Sequence, residues 1–283
     1  MTKACLLLLT FVTTSAIAGE WRPRALTIAA DGTLYVADAA LPGIWQRREN
    51  GEFVLKFRAE RGDGSPLRAP TALTVDREGN LFVADSATGE VYRLDREGKP
   101  IPLSRRAFEV PTGLAIGDSG DLFVCDLRLN LVARLPRAGG KPEPIARIAA
   151  PRGLAIDKDG GLFVVSMRTD QLVKVSQKGE VKTIVKGSPF RMPLGIALDR
   201  RSGGVWVADG DDATVWHVSP TGEIRKSFSK DVLVRPVAVA TGQAGELFVA
   251  DSGARTIARV SASGQVEQSW TGPNSVESRR KRP

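Results

Sequence analysis

Residues 79–86 read "GNLFVADS", an apolar run opened by glycine and closed by aspartate. Alone, it is one β-strand running into a turn, because β-branched and aromatic residues bounded by turn formers favour the extended chain. The chain writes the phrase five more times, as "GTLYVADA" from 32, "GDLFVCDL" from 120, "GGLFVVSM" from 160, "GGVWVADG" from 203 and "GELFVADS" from 245. With the seventh residue of each as anchor, Asp38, Asp85, Asp126, Ser166, Asp209 and Asp251 follow one another at intervals of 47, 41, 40, 43 and 42 residues. An aromatic stands three residues before every anchor and a branched aliphatic six after it. Each copy begins on a proline, at Pro23, Pro70, Pro111, Pro151, Pro193 and Pro236. Matching offsets on this scale define a repeat protein.

Four strand signals fill each copy. In the second they are "ALTVD", "LFVAD", "VYRLD" and "IPLS", separated by the turn-rich "REGN", "SATGE" and "REGKP". A lone four-stranded sheet of this length cannot bury both of its faces, so the units must pack around an axis. The expected fold is all-β: a six-bladed β-propeller of four-stranded antiparallel blades.

The accumulated pattern, "PxGLAIDxxGxLFVAD" followed by a polar loop and an apolar strand, resembles the NHL repeat over about residues 21–270. That resemblance implies the propeller fold, which serves binding platforms, sensors and some enzymes.

Outside the repeats, Lys3, the short apolar "ACLLLLTFV" and the small residues of "AIAG" read as a secretory signal over 1–18, cut after Ala18. The apolar run is shorter than the ~20 residues of a spanning helix, and no other long one occurs. A propeller over 19–271, exported to the periplasm or beyond, and a disordered basic tail over 272–283 complete the expected organisation. Cys5 leaves with the signal, so Cys125 stays as a lone thiol and no disulfide is expected.

The ring of aspartates suggests a metal, but a residue recurring in every blade serves the blade. Asp at a tight connection accepts backbone N–H groups two residues on, and Ser166 keeps an oxygen for that role. His217, the sole histidine, takes the third-strand place held elsewhere by Gln46, Arg93, Arg134, Lys174 and Arg259, and is expected to face outward. Cys125 replaces a small residue of the other copies and is expected in the core.

Three enzyme types share this architecture. The resemblance to regucalcin/gluconolactonase-like propellers implies a divalent ion held by Glu, Asn and Asp, which the first strands here lack near the channel. The amidating lyases of the NHL type imply zinc histidines, and the streptogramin-lyase-like propellers a catalytic histidine. No Ser/His/Asp set is assembled from spacing. The expectation is therefore a non-enzymatic binding scaffold with no cofactor; the alternative is a metal-dependent hydrolase or lyase of the gluconolactonase-like or streptogramin-lyase-like type, with calcium as its ion.

Charge locates the binding rim. The net charge is +8, and arginines crowd the blade-to-blade and second-to-third connections, which share one rim in an antiparallel blade. Arg24, Arg128, Arg152, Arg168, Arg191 and Arg235 are the candidate ligand-binding residues, with Arg128 and Arg168 as a side-by-side clamp. The expected partner is an acidic protein or an anionic polymer. Export and the sparse aromatics of the rim argue against nucleic acid.

Overall fold

The computed structural model describes residues 21–40, 43–48, 50–58, 65–168, 170–228, 232–261 and 265–272. Residues 1–18, expected to be a signal, and residues 273–283 lie outside them. Six four-stranded antiparallel sheets follow in chain order, each running from first strand to fourth without exchange between sheets. The described residues contain no helix. The six blades are thus those expected from the repeat.

The first strands, Pro23–Ile28, Pro70–Val75, Pro111–Ile116, Pro151–Ile156, Pro193–Leu198 and Pro236–Thr241, neighbour one another in a closed ring around the axis. Their proline ends pair with the anchors, as Pro23 with Asp38 and Pro70 with Asp85. The blade-to-blade segments and the second-to-third loops therefore share the upper rim. The first-to-second and third-to-fourth turns form the lower one.

At the waist, neighbouring first strands touch through backbone. A Cβ on Gly195 would stand 2.6 Å from Ala238 Cα, so any side chain there pushes two blades apart. The glycine opening each "LFVAD" phrase has a positive φ, between 74° and 85°, which only glycine adopts readily.

The anchors do more than fix their own turns. Asp126, fully buried, accepts N–H bonds from Arg128 and Leu129 in its loop, at 2.9 Å each. It also accepts from Glu109 at 2.7 Å and Val110 at 3.1 Å in the segment that enters its blade. Asp38, Asp85, Asp209 and Asp251 repeat this double grip. Ser166 reproduces only half of it: its Oγ accepts the Arg168 N–H at 3.0 Å but donates to Ala149 O.

Apolar side chains pack between adjacent blades rather than around one central core. Phe82 and Phe163 are buried, whereas Tyr35, Phe123, Trp206 and Phe248 keep part of their surface. The aromatic of the repeat is thus fully core in only two of its six copies.

Ring closure between blades six and one is made by side chains. Trp21 packs on Trp45 and Phe53 at 6.0 and 5.4 Å between ring centroids. Within blade six Phe248 stacks on Trp270 at 6.2 Å, and across the seam the Arg47 guanidinium of blade one sits 4.4 Å above the Trp270 ring. Arg22 O accepts the Ala39 N–H at 2.9 Å, so the segment that enters the first strand stays with its own blade.

Candidate functional site at the upper channel mouth

The second residue of each first strand rims the upper mouth. In blade order these are Arg24, Thr71, Thr112, Arg152, Leu194 and Val237. The mouth is not six-fold: a basic axis crosses it from blade one to blade four, with a hydroxyl sector on one side and an apolar sector on the other. Thr71 Oγ1 donates to Ala84 O and Pro111 O at 3.0 and 2.7 Å, and Thr112 Oγ1 to Pro151 O at 3.1 Å. The threonines therefore stitch first strands together.

The two arginines differ. Burial lowers the pKa of Arg24, partly offset by the charge of Asp85; burial and then the Arg24 charge lower that of Arg152. Arg24 is open to solvent along the axis, yet the surrounding blades still strip water from its guanidinium. Both stay charged at neutral pH. Neither has a carboxylate ion pair or a side-chain hydrogen bond among the described residues. Asp85 attracts Arg24 from a distance, since its oxygens accept the N–H groups of Arg68, Ala69, Ala87 and Thr88. Two like charges held close and half-dry favour an anion between them.

The other four candidate arginines lie elsewhere on the same rim. Arg128 Nε is 3.0 Å from Glu109, which neutralises half of the expected Arg128–Arg168 clamp. Arg235 sits 3.8 Å from Asp211, with its Nη2 3.6 Å from Met192 Sδ. Arg168 and Arg191 are exposed. What the structure brings together is Arg24 and Arg152, from opposite blades.

The structure also assembles a Ser/His/Asp trio that spacing did not reveal, on the lower rim. His217 Nε2 lies 3.0 Å from Asp199 Oδ2 and 3.2 Å from Ser202 Oγ, and Ser202 Oγ donates to the same aspartate. In a catalytic relay the carboxylate and the hydroxyl engage opposite ring nitrogens. Here both engage one, so the arrangement is a structural clasp. The expected outward His217 is instead mostly buried, its ring 4.6 Å from that of Trp206.

Two cavities open on the lower side, of about 770 Å³ at the channel mouth and 630 Å³ between blades three and four. Their walls carry the ion pairs Arg77–Asp118 and Arg137–Glu78 at 2.7 Å and Arg134–Asp121 and Lys174–Asp157 at 2.6 Å, with Lys158 and Arg200 beside them. Size favours the lower side; two partly dry like charges favour the upper, and perturbed charge is what confers chemistry on a site.

For a metal, the donor set does not fit. Among the described residues no group of three or more His, Cys, Asp or Glu could hold an ion, and the anchor aspartates are saturated by backbone N–H groups. Cys125 is fully buried; burial, then the charge of Asp126, pushes its thiol pKa far up, so it is no nucleophile.

Fold and mouth together define a six-bladed propeller with a site at the axis, an architecture shared with several lyases and lactonases. The sequence pattern of the Virginiamycin B lyase family matches residues 11–275, and the chain belongs to that family. Virginiamycin B lyase from Staphylococcus aureus is 16% identical, with 90% of this chain and 85% of that one covered and a TM-score of 0.67. A catalytically inactive variant of that enzyme, with one histidine replaced by alanine and with quinupristin, matches at 16% identity over 92% and 87%, TM-score 0.67. A gluconolactonase from Xanthomonas campestris is 18% identical over 82% and 84%, TM-score 0.68. No protein of curated function matches the chain.

The family corrects the expectation of a non-enzymatic scaffold. No histidine of this chain stands where a streptogramin-lyase-like catalytic one was expected, yet the family pattern matches nearly the whole chain. It also replaces NHL as the family name, with the propeller unchanged.

Proposed function

We propose that the protein is an enzyme of the lyase or lactone-hydrolase type whose active site is the upper channel mouth. One observation carries this: Arg24 and Arg152 hold equivalent places at the inner rim of blades one and four, partly dry, within reach of each other's charge and without a carboxylate partner among the described residues. Eliminating a carboxylate from an ester and hydrolysing a lactone both end with negative charge on carboxyl oxygens. Fixed guanidinium groups stabilise that charge as it develops, at little reorganisation cost. Family membership supports the chemistry, and the arginines supply the fixed positive charge for it.

In this reading the anion expected from the charge is the carboxylate that the reaction releases, and Arg128, Arg168, Arg191 and Arg235 add to the positive field around the mouth. The blades are NHL-like units, and the protein is exported after cleavage at Ala18.

The test is a panel of lactones and acyl esters with wild type, the double variant Arg24→Ala/Arg152→Ala, and His217→Ala. The double variant should lose about 10²–10³-fold in kcat/KM, the scale of an oxyanion donor. His217→Ala should keep its turnover. No turnover on any member, or full activity in the double variant, overturns the proposal.

A further inference from the structure

Val237 in the apolar sector of the mouth packs in part against the core between blades six and one, but the sector is not spent on that contact. Leu194 and Val237, which occupy it in blades five and six, keep part of their surface exposed. Immediately above them, Val232 and Val234 are 43% and 60% exposed, among the few large apolar side chains so open to water. Met192 lies beside them, in contact with Arg235. The adjoining second-to-third loops open with Gly210 and Gly253. A Cβ on the former would stand 3.3 Å from Leu194 Cδ1, and one on the latter 2.6 Å from Val234 Cγ1. Any larger residue would crowd these side chains. The strip therefore runs from open rim to channel mouth, where it meets the basic axis. Clustered exposed apolar side chains of this kind, with Arg235 running among them, mark a binding surface rather than scattered surface residues.

We infer that the substrate of this mouth is amphipathic: an ester or lactone head, whose carboxyl oxygens take up negative charge between Arg24 and Arg152, and an apolar arm lying over Met192, Leu194, Val234 and Val237. The inference rests on the upper mouth being the active site and adds the class of molecule it takes; a free carboxylate with an apolar chain resembles the released product. Charge selects the occupant: an apolar segment with no carboxyl group to take up charge would leave two partly dry guanidinium groups uncompensated. A small hydrophilic anion would leave the apolar strip wet. The threonine side offers no such strip, since its hydroxyls are engaged with backbone carbonyls. The arm is thus directed toward blades five and six.

Calorimetric titration with acetate, butyrate, hexanoate and octanoate below their micellar concentrations tests the inference without requiring turnover. Affinity should rise with chain length by up to about fourfold per buried methylene, and octanol should bind more weakly than octanoate. Leu194→Ser/Val234→Ser, checked for an unchanged melting temperature, should flatten the dependence on chain length while leaving acetate binding intact. Arg24→Ala/Arg152→Ala should weaken every member of the series. A flat series in wild type, or the same slope in the serine variant, overturns the inference. Octanoate binding as expected without lactone or ester turnover removes the enzymatic reading alone; turnover confined to hydrophilic substrates removes the apolar arm alone.

Discussion

Asp126 shows how far one residue can be read from sequence. Its acceptance of N–H groups within its own loop follows from aspartate at a tight turn. The second grip, on Glu109 and Val110, does not, because it joins segments 16 and 17 residues apart that meet only once the blade has formed. The repeated aspartate is therefore a rivet between a blade and the connection that leads into it. Asp126→Ala strands four N–H groups beside a buried site, and about 3 kcal/mol of stability should be lost. Urea denaturation measures it, and a cost near zero would mean that water replaces the carboxylate. Burial likewise escapes the pattern at single residues. The aromatic is equivalent in all six copies of the sequence, yet Phe163 is 1% exposed and Phe123 is not fully buried. Phe163→Ala should cost about 3–5 kcal/mol as a large core truncation, and Phe123→Ala less.

Within a blade, strand order and register were legible because alternation and turn chemistry agree. The lower turns were not, since their contacts cross from one strand pair to another. Asp199 and His217 are 18 residues apart in the chain and meet where the first-to-second turn folds back on the third strand. The same geometry makes the lower rim acid-sensitive. Burial raises the pKa of Asp121, Asp157 and Asp199, but hydrogen bonds outweigh it: from Arg134, Arg137 N–H and Ser119; from Lys174, Gly161 and Asp159 N–H; and from Ser202, Arg201 N–H and His217. All three end below the usual aspartate value. A depressed carboxyl stabilises the fold above its unfolded pKa, and that stability is lost as pH falls through the folded value. Melting temperature should hold from neutrality to about pH 4, near the unfolded aspartate pKa, and drop below it. Asp121→Asn should melt lower at neutral pH and show a smaller acid-induced drop. An acid profile identical to wild type would deny Asp121 its part.

At the scale of the molecule, the number of blades could be counted from the sequence, but the site could not. The series Arg, Thr, Thr, Arg, Leu, Val is visible in the aligned copies; nothing in it says that the first and fourth members confront each other. Only closure of the ring makes residues 128 positions apart into neighbours in the electrical sense. Charge counting favoured Arg128 and Arg168, and Glu109, in the adjoining blade-to-blade segment, neutralises the first of them. Repulsion across the mouth lowers stability in the absence of an anion. Arg152→Gln should raise the melting temperature at low salt, and the gain should shrink as ionic strength rises and the Debye length falls toward ~8 Å. A salt-independent gain would trace the effect to packing instead.

The aromatic seam between the last blade and the first has a topological consequence. No strand crosses it, and its two chain ends meet: a Cβ on Gly272 would fall 2.5 Å from the Trp21 ring. The seam is therefore the sixth blade-to-blade junction of the ring, unlike the other five only in lacking a covalent link from Gly272 to Trp21. Elsewhere a link as short as Ile148–Ala150 spans from one blade to the next. Joining Gly272 to Trp21 through a few flexible residues, and cutting instead between Val185 and Pro193, should give a circularly permuted chain that closes on the same ring. Its blades would then be made in the order five, six, one, two, three, four, with Arg152 contributed by the last of them.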